Sequence, residues 1–135
     1  MPPERNWRRA AAYLWAAPVS LLGLGFALAA WPADVRRHGG VLEMSGGLAG
    51  RLLACPLPGS GPVAAITLGH VVIGRSAEAL AAVRSHERVH VAQVERWGLL
   101  FLFAYPLASL LAWARGGHPY RDNLFERQAR HIAGY

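Results

Sequence analysis

Residues 10–33 carry no charged side chain, and this stretch limits the folds open to the chain more than any other feature. At about 1.5 Å rise per residue, a helix of this length crosses roughly 30 Å of hydrocarbon. Trp7 and Trp15 near one end and Trp31 at the other suit interfacial belts. Arg5, Arg8 and Arg9 before the stretch favour a cytoplasmic N-terminus, a bias opposed by Arg36 and Arg37. The pattern predicts an N-terminal transmembrane anchor. A secretory signal peptide shares the layout, basic then apolar with small residues around Ala27 and Ala29, although this stretch exceeds a usual h-region. A buried core or interfacial helix is the third reading.

The whole chain of 135 residues is about one domain's worth, divided here into a basic segment with its anchor (1–35) and a second unit (36–135). With 53% apolar and 16% charged residues it is too greasy for a disordered tail. All fourteen basic residues are arginine, for a formal net charge of +6, a balance suited to anionic lipid or nucleic acid. The arginines are scattered, without the interleaved stacking aromatics of a recognition module, so membrane lipid is the expected partner and nucleic acid is not. The single Cys55 excludes an internal disulfide framework and a Cys-based zinc ribbon. Any metal site must therefore be built from His and carboxylate.

Residues 39–75 have strand-and-turn composition, punctuated by Gly39-Gly40, Gly46-Gly47 and a Pro/Gly-rich run from Pro56 to Pro62. The clearest strand is 63–73, with Gly69-His70 as a bulge or bend. A second strand or pair is expected over 41–53, and together they predict a small antiparallel sheet. Ser76 stands as an N-cap before a helix over 77–97 closed by Gly98. The apolar run 99–114 contains Pro106 and reads as a broken helix or hairpin, packed in the core or dipping into the membrane. A short helix over 124–132 follows Asp122-Asn123.

The helix over 77–97 carries His86-Glu87-Arg88-Val89-His90, an H-E-x-x-H pentapeptide. Imidazoles at i and i+4 project from one side of a helix and can converge on one Zn2+ at about 2.0–2.1 Å. Glu87 then lies beside the open coordination position, where it can take a proton from water and hand it to a leaving amine. With six His and six Glu in the chain, a chance match is expected roughly once per hundred such sequences. At about 100° per residue the three residues share one arc with Ala79, Val83, Val94 and Trp97, while Arg84, Arg88, Glu95 and Arg96 lie opposite. Imidazoles on an apolar face need a partner, and a metal ion supplies one.

A catalytic zinc site uses three protein ligands and keeps one position for water. Glu126, near the start of the last helix, is the expected third ligand. Asn123 and Glu126 also have capping-box spacing, so Glu126 reaching back to the Asn123 N–H is the competing role. His131, His118 and His70 are the alternative ligands. If 99–114 crossed the bilayer, the histidines and Glu126 would sit on opposite sides, so a span there and a shared metal exclude each other.

His86-Glu87-x-x-His90-x-x-Gln93, an aromatic-rich helix and then Tyr120-x-x-Asn123-x-x-Glu126-x-x-Ala129 resemble the Glu-type zincins, the gluzincin metallopeptidases, and especially small bacterial zincin-like membrane proteins. The resemblance covers roughly residues 63–132. It implies a minimal α+β zincin-like domain, His86, His90 and Glu126 as zinc ligands and Glu87 as catalytic base. It also implies a peptide or protein substrate paired along the strand before the active-site helix, and a place in the bacterial inner membrane with a single N-terminal anchor. In such enzymes a tyrosine or histidine often steadies the oxyanion, a role open here to Tyr120 or His118. The competing function is a non-catalytic zinc-binding membrane or interaction protein, in which the metal only locks two helices together.

Overall fold

The uncharged N-terminal stretch winds into one long helix, α1 (Pro3–Ala29), with Pro18 inside it. A computed structural model describes residues 3–29, 34–55 and 63–134; Trp31 and the run 56–62 lie outside these. Helix α1 is two-sided. Ala16, Val19 and Ala27 are buried, whereas Leu14, Leu21 and Leu28 are 75%, 67% and 75% exposed on the other side. Its buried side joins the rest of the chain: Ala16 and Val19 pack with Val94, Phe101 and Phe125, and Ala27 packs with Met44, Ala49, Leu53, Val71 and Ile73.

Four strands follow, β1 (Asp34–His38), β2 (Val41–Ser45), β3 (Ala65–Leu68) and β4 (Val71–Gly74), in the order β1-β2-β4-β3. The sheet is mixed rather than antiparallel: β1 runs against β2 and β3 against β4, but β2 and β4 are parallel, with Leu42 opposite Val71 and Ser45 opposite Gly74. A parallel pair needs a crossover, and a helix, α2 (Gly47–Ala54), lies in it. The expected strand beyond residue 45 is therefore a helix. Gly46 and Gly47, at φ +75° and +57°, end the extended backbone, and Ala49 and Leu53 are then buried at i, i+4 spacing.

The single strand expected over 63–73 is instead a hairpin. Gly69, at φ +66°, takes the first position of a two-residue turn between Leu68 and Val71, a place that favours glycine. A Cβ there would lie 2.3 Å from Ser20 Oγ on α1. Ser20 Oγ in turn accepts the His70 N–H at 3.0 Å.

Helix α3 (Ala77–Trp97) begins as expected, with Ser76 Oγ accepting from Ala79 N at 3.0 Å, and ends at Gly98. Gly98 has φ +59°, and a Cβ there would meet the Trp15 ring at 2.5 Å, so the glycine is required by both backbone and neighbour. A 3-10 turn (Gly98–Leu100) leads into α4 (Phe101–Ala114), and α5 (Leu124–Ala133) closes the fold. Contrary to the expected break, α4 runs unbroken through Pro106; one face, with Phe101, Leu102, Ala104, Tyr105 and Ala108, packs on the core and the other does not. Only Phe101 and Ala112 are buried, while Phe103, Leu107, Leu110 and Trp113 are exposed. Arg5–Ala29 and Ala77–Ala114 are each long and apolar enough, by length and composition, to cross a membrane. In the second, α3 itself carries Arg84, Glu87, Arg88, Glu95 and Arg96, so the apolar part is α4, about 21 Å long at 1.5 Å per residue.

The sheet is tied to α3 by charge. Arg84 grips Glu43 on β2 with two bonds of 2.9 Å, and Arg88 reaches the same carboxylate at 3.4 Å. The Arg84 hydrogen bond, outweighing burial, holds the Glu43 carboxyl below its ordinary 4.5. Because the folded value is depressed, this stabilisation is full above the unfolded carboxylate range and fades as pH falls through the folded value. Glu43→Gln should therefore cost roughly 1–3 kcal/mol at pH 7. It should also remove part of the acid-side loss of stability below about pH 4.5, as read from urea unfolding at pH 3, 5 and 7.

Candidate metal centre

Two adjacent turns of α3 present His86, Glu87 and His90 inward, and the first turn of α5 brings Glu126 across to meet them. The relative exposures of these four residues are 7%, 6%, 6% and 3%. His86 Nε2 lies 2.9 Å from Glu126 Oε2, His90 Nε2 lies 3.2 Å from Glu126 Oε1, and the two Nε2 atoms are 3.2 Å apart. His86, His90 and Glu126 thus offer donor atoms all within 4.8 Å of one another and could hold a metal ion.

The surrounding hydrogen bonds fix how these groups face each other. The Gln93 amide nitrogen donates to the Phe125 carbonyl oxygen at 3.0 Å and to Gln128 Oε1 at 2.9 Å. A carbonyl can only accept, so Gln93 Oε1 is the atom facing His90 Nδ1, at 2.8 Å. His90 Nδ1 is therefore the donor, and in the neutral ring Nε2 is a lone pair aimed at a carboxylate oxygen and a second imidazole nitrogen. These acceptors are reconciled by a proton on His86 Nε2, by a second proton on His90, or by a cation that takes both lone pairs. Burial alone would lower the His90 pKa, but the Glu126 carboxylate outweighs it and raises it. Burial would likewise raise Glu126, yet its bonds with His86, His90 and Tyr105 hold it well below the usual carboxylate range.

Helix α4 and the sheet supply the outer supports. The Tyr105 hydroxyl donates to Glu126 Oε1 at 2.5 Å. Thr67 Oγ1 on β3 donates to Glu87 Oε2 at 2.7 Å, and burial pushes the Glu87 carboxyl up. Tyr120, 43% exposed, stands near Glu126, and partial burial together with that carboxylate pushes its phenol up to about 12. The capping box does not form. Asn123 Oδ1 accepts from Phe125 N at 2.9 Å, while Glu126 turns to the histidines.

The alternative histidines are elsewhere. His70 stacks on Tyr13 with ring centroids 3.9 Å apart. His118 Nδ1 accepts from Tyr120 N and Arg121 N in an exposed turn, and His131 lies in the last turn of α5. Of the supports, sequence reasoning missed Tyr105 and Thr67. The signal for Tyr105 was a lone phenol, with Ser109, inside an apolar stretch that otherwise had no use for a hydroxyl.

Asn123 sets where α5 starts and hence where Glu126 lands. Fully buried, it caps α5 and donates through Nδ2 to the Tyr105 carbonyl at 3.0 Å and Ser109 Oγ at 2.7 Å. Asn123→Ala should destabilise the fold by about 2–4 kcal/mol, combining a lost cap with unpaired buried acceptors. Asn123→Asp, which keeps the cap oxygen, should fall between the two in thermal melts. No protein-family model, curated protein or solved structure matches the chain.

Proposed function

We propose that this chain is a membrane-anchored, zinc-dependent hydrolase of the peptidase type, a minimal zincin-like unit, with His86, His90 and Glu126 as ligands and Glu87 as the base. The observation that carries the reading is the convergence of the donors: one oxygen of Glu126 lies 2.9 Å from His86 Nε2, its other oxygen 3.2 Å from His90 Nε2, and the two Nε2 atoms 3.2 Å apart. Donors about 2.0–2.1 Å from one tetrahedral ion stand roughly 3.3 Å apart. Two imidazoles and one carboxylate are moreover a zinc-type donor set. Zinc bound there would act as a Lewis acid, polarising a carbonyl and bringing the pKa of a water toward about 7.

The remaining work falls to this chain's own side chains. Thr67 holds Glu87 Oε2, leaving Oε1 to receive a proton from water and deliver it to the departing amine nitrogen. Gln93 and Tyr105 fix the orientation of His90 and Glu126. Strand β3 is an edge of the sheet and carries Thr67, so an extended peptide added along it would run beside Glu87. Helix α1 places the unit at a bilayer through its exposed leucines. Its retention is supported by Ala16 and Val19, whose removal would open the cluster with Val94, Phe101 and Phe125.

The test is cleavage of an internally quenched peptide library by the full chain in detergent. Activity should vanish with 1,10-phenanthroline and return with added zinc; activity indifferent to the chelator would refute the proposal. The burial of all three ligands, each under a tenth exposed, favours a second reading in which the same ion only clamps α3 to α5. In that case zinc removal would lower thermal stability while no peptide is cleaved.

A further inference from the structure

A cleft of about 460 Å³ opens where the first turns of α1 meet α3 and the turn between β1 and β2, and His86, Glu87, His90 and Glu126 are not among its lining residues. Arg5, Arg8 and Arg9 from α1 and Arg88 from α3 line it, with Glu95 the carboxylate among the described lining residues. That carboxylate is already engaged by His70 Nε2 at 2.7 Å. We propose that this cleft binds the phosphate of an anionic phospholipid headgroup.

Three observations support a built site rather than loose surface charge. The α1 arginines fall at i, i+3 and i+4, on one face of the helix. Arg88 is oriented by the His38 carbonyl at 2.5 Å, the Gly39 carbonyl at 3.5 Å and the Glu43 carboxylate at 3.4 Å, which sets its guanidinium beside that face. Tyr13 then locks the two walls together: its hydroxyl donates to the Gly40 carbonyl at 2.6 Å, and its ring stacks on His70 at 3.9 Å and 5°. Guanidinium groups converging from two elements suit the tetrahedral oxygens of a phosphate, which they can grip in pairs.

The assignment to lipid rests on the membrane reading of α1, and not on the metal. Leu14, five residues beyond Arg9, is 75% exposed, and Leu21 and Leu28 continue its apolar face. The cleft therefore stands at the level where hydrocarbon gives way to headgroups, the zone in which basic residues meet anionic lipid.

The test titrates the full chain, in micelles of uncharged detergent, with dihexanoyl phosphatidylglycerol, dihexanoyl phosphatidylcholine or inorganic phosphate. Binding is read by tryptophan fluorescence, since Trp7 sits beside Arg8 with 5.6 Å from guanidinium to ring centre. Saturable binding of the glycerol lipid is expected, at least about tenfold tighter than the choline lipid and at least about tenfold weaker in Arg8→Gln/Arg9→Gln, from the loss of charge-assisted bonds. The charge-keeping pair Arg8→Lys/Arg9→Lys should stay within about threefold of wild type. Both arginines are exposed, and circular dichroism checks the fold.

Equal binding of the two lipids, or unchanged affinity in the Gln pair, would overturn the proposal. Inorganic phosphate binding as tightly as the glycerol lipid would also overturn it, in favour of a free-phosphate site. Incorporation into phosphatidylcholine vesicles is measured alongside. Insertion without headgroup preference removes only the cleft assignment, whereas failure to insert removes the membrane reading with it.

Discussion

Glu87→Gln is expected to keep one equivalent of zinc per chain and to lose roughly 10²–10⁴-fold in peptide hydrolysis, the range that a positioned general base supplies. The amide preserves the shape of the carboxylate and can still meet the Thr67 hydroxyl, which donates to Glu87 Oε2 at 2.7 Å in the wild type. It cannot accept a proton from water at neutral pH. Because Glu87 is not among the three clustered candidate ligands, the metal content should not change. A Glu87→Gln protein that turned over as fast as wild type would remove the base from the mechanism. One that lost its zinc would mean that Glu87 is itself a ligand.

Glu126→Ala should have the opposite signature. Removing the carboxylate takes away the proposed third ligand, which meets the two imidazoles at 2.9 and 3.2 Å. Structural zinc sites contribute apparent free energies of about 10–16 kcal/mol over four ligands. One ligand therefore accounts for roughly 3–4 kcal/mol, and zinc affinity should fall by about 10²–10³-fold, measured by competition with a chromophoric chelator. Activity should fall with it, and Tyr105, whose hydroxyl donates to Glu126, would lose its buried partner. Affinity within a few-fold of wild type would exclude Glu126 as a ligand.

The parts of this fold legible in the sequence are those whose signals are local. Ser76 and Gly98 bracket α3, Asn123 caps α5, and the uncharged stretch is a helix, because each depends on residues within a turn or two. The sheet was less legible for the converse reason. Strand β1 is the exposed run Asp34–His38, with no alternation to mark it, and it exists only through its pairing with β2. The parallel pairing of β2 with β4 joins residues about thirty apart in sequence, and nothing in either strand announces its partner. Gly69-His70 was recognised as an irregularity, but a bend and a full reversal differ only in where the following strand finds its hydrogen bonds.

The site divides in the same way. His86, Glu87 and His90 are one helical turn and could be read directly. Glu126 followed from the need for a third ligand, and its cluster with the histidines depends on α4 and the turn after it returning the chain to α3. Gln93 was part of the recognised pattern, but its role in holding His90 Nδ1 required the Phe125 carbonyl, 32 residues on. Thr67 reaches Glu87 from twenty residues away, across the hairpin that the sequence did not disclose.

The central claim is that two imidazoles a helical turn apart and the carboxylate of Glu126 meet around one zinc ion. Its most direct measurement is elemental analysis of the purified 135-residue chain, before and after chelation and with zinc then restored. One zinc per chain is expected, lost on chelation and recovered to the same stoichiometry. A folded chain that contains no zinc and takes up none when it is offered would contradict it.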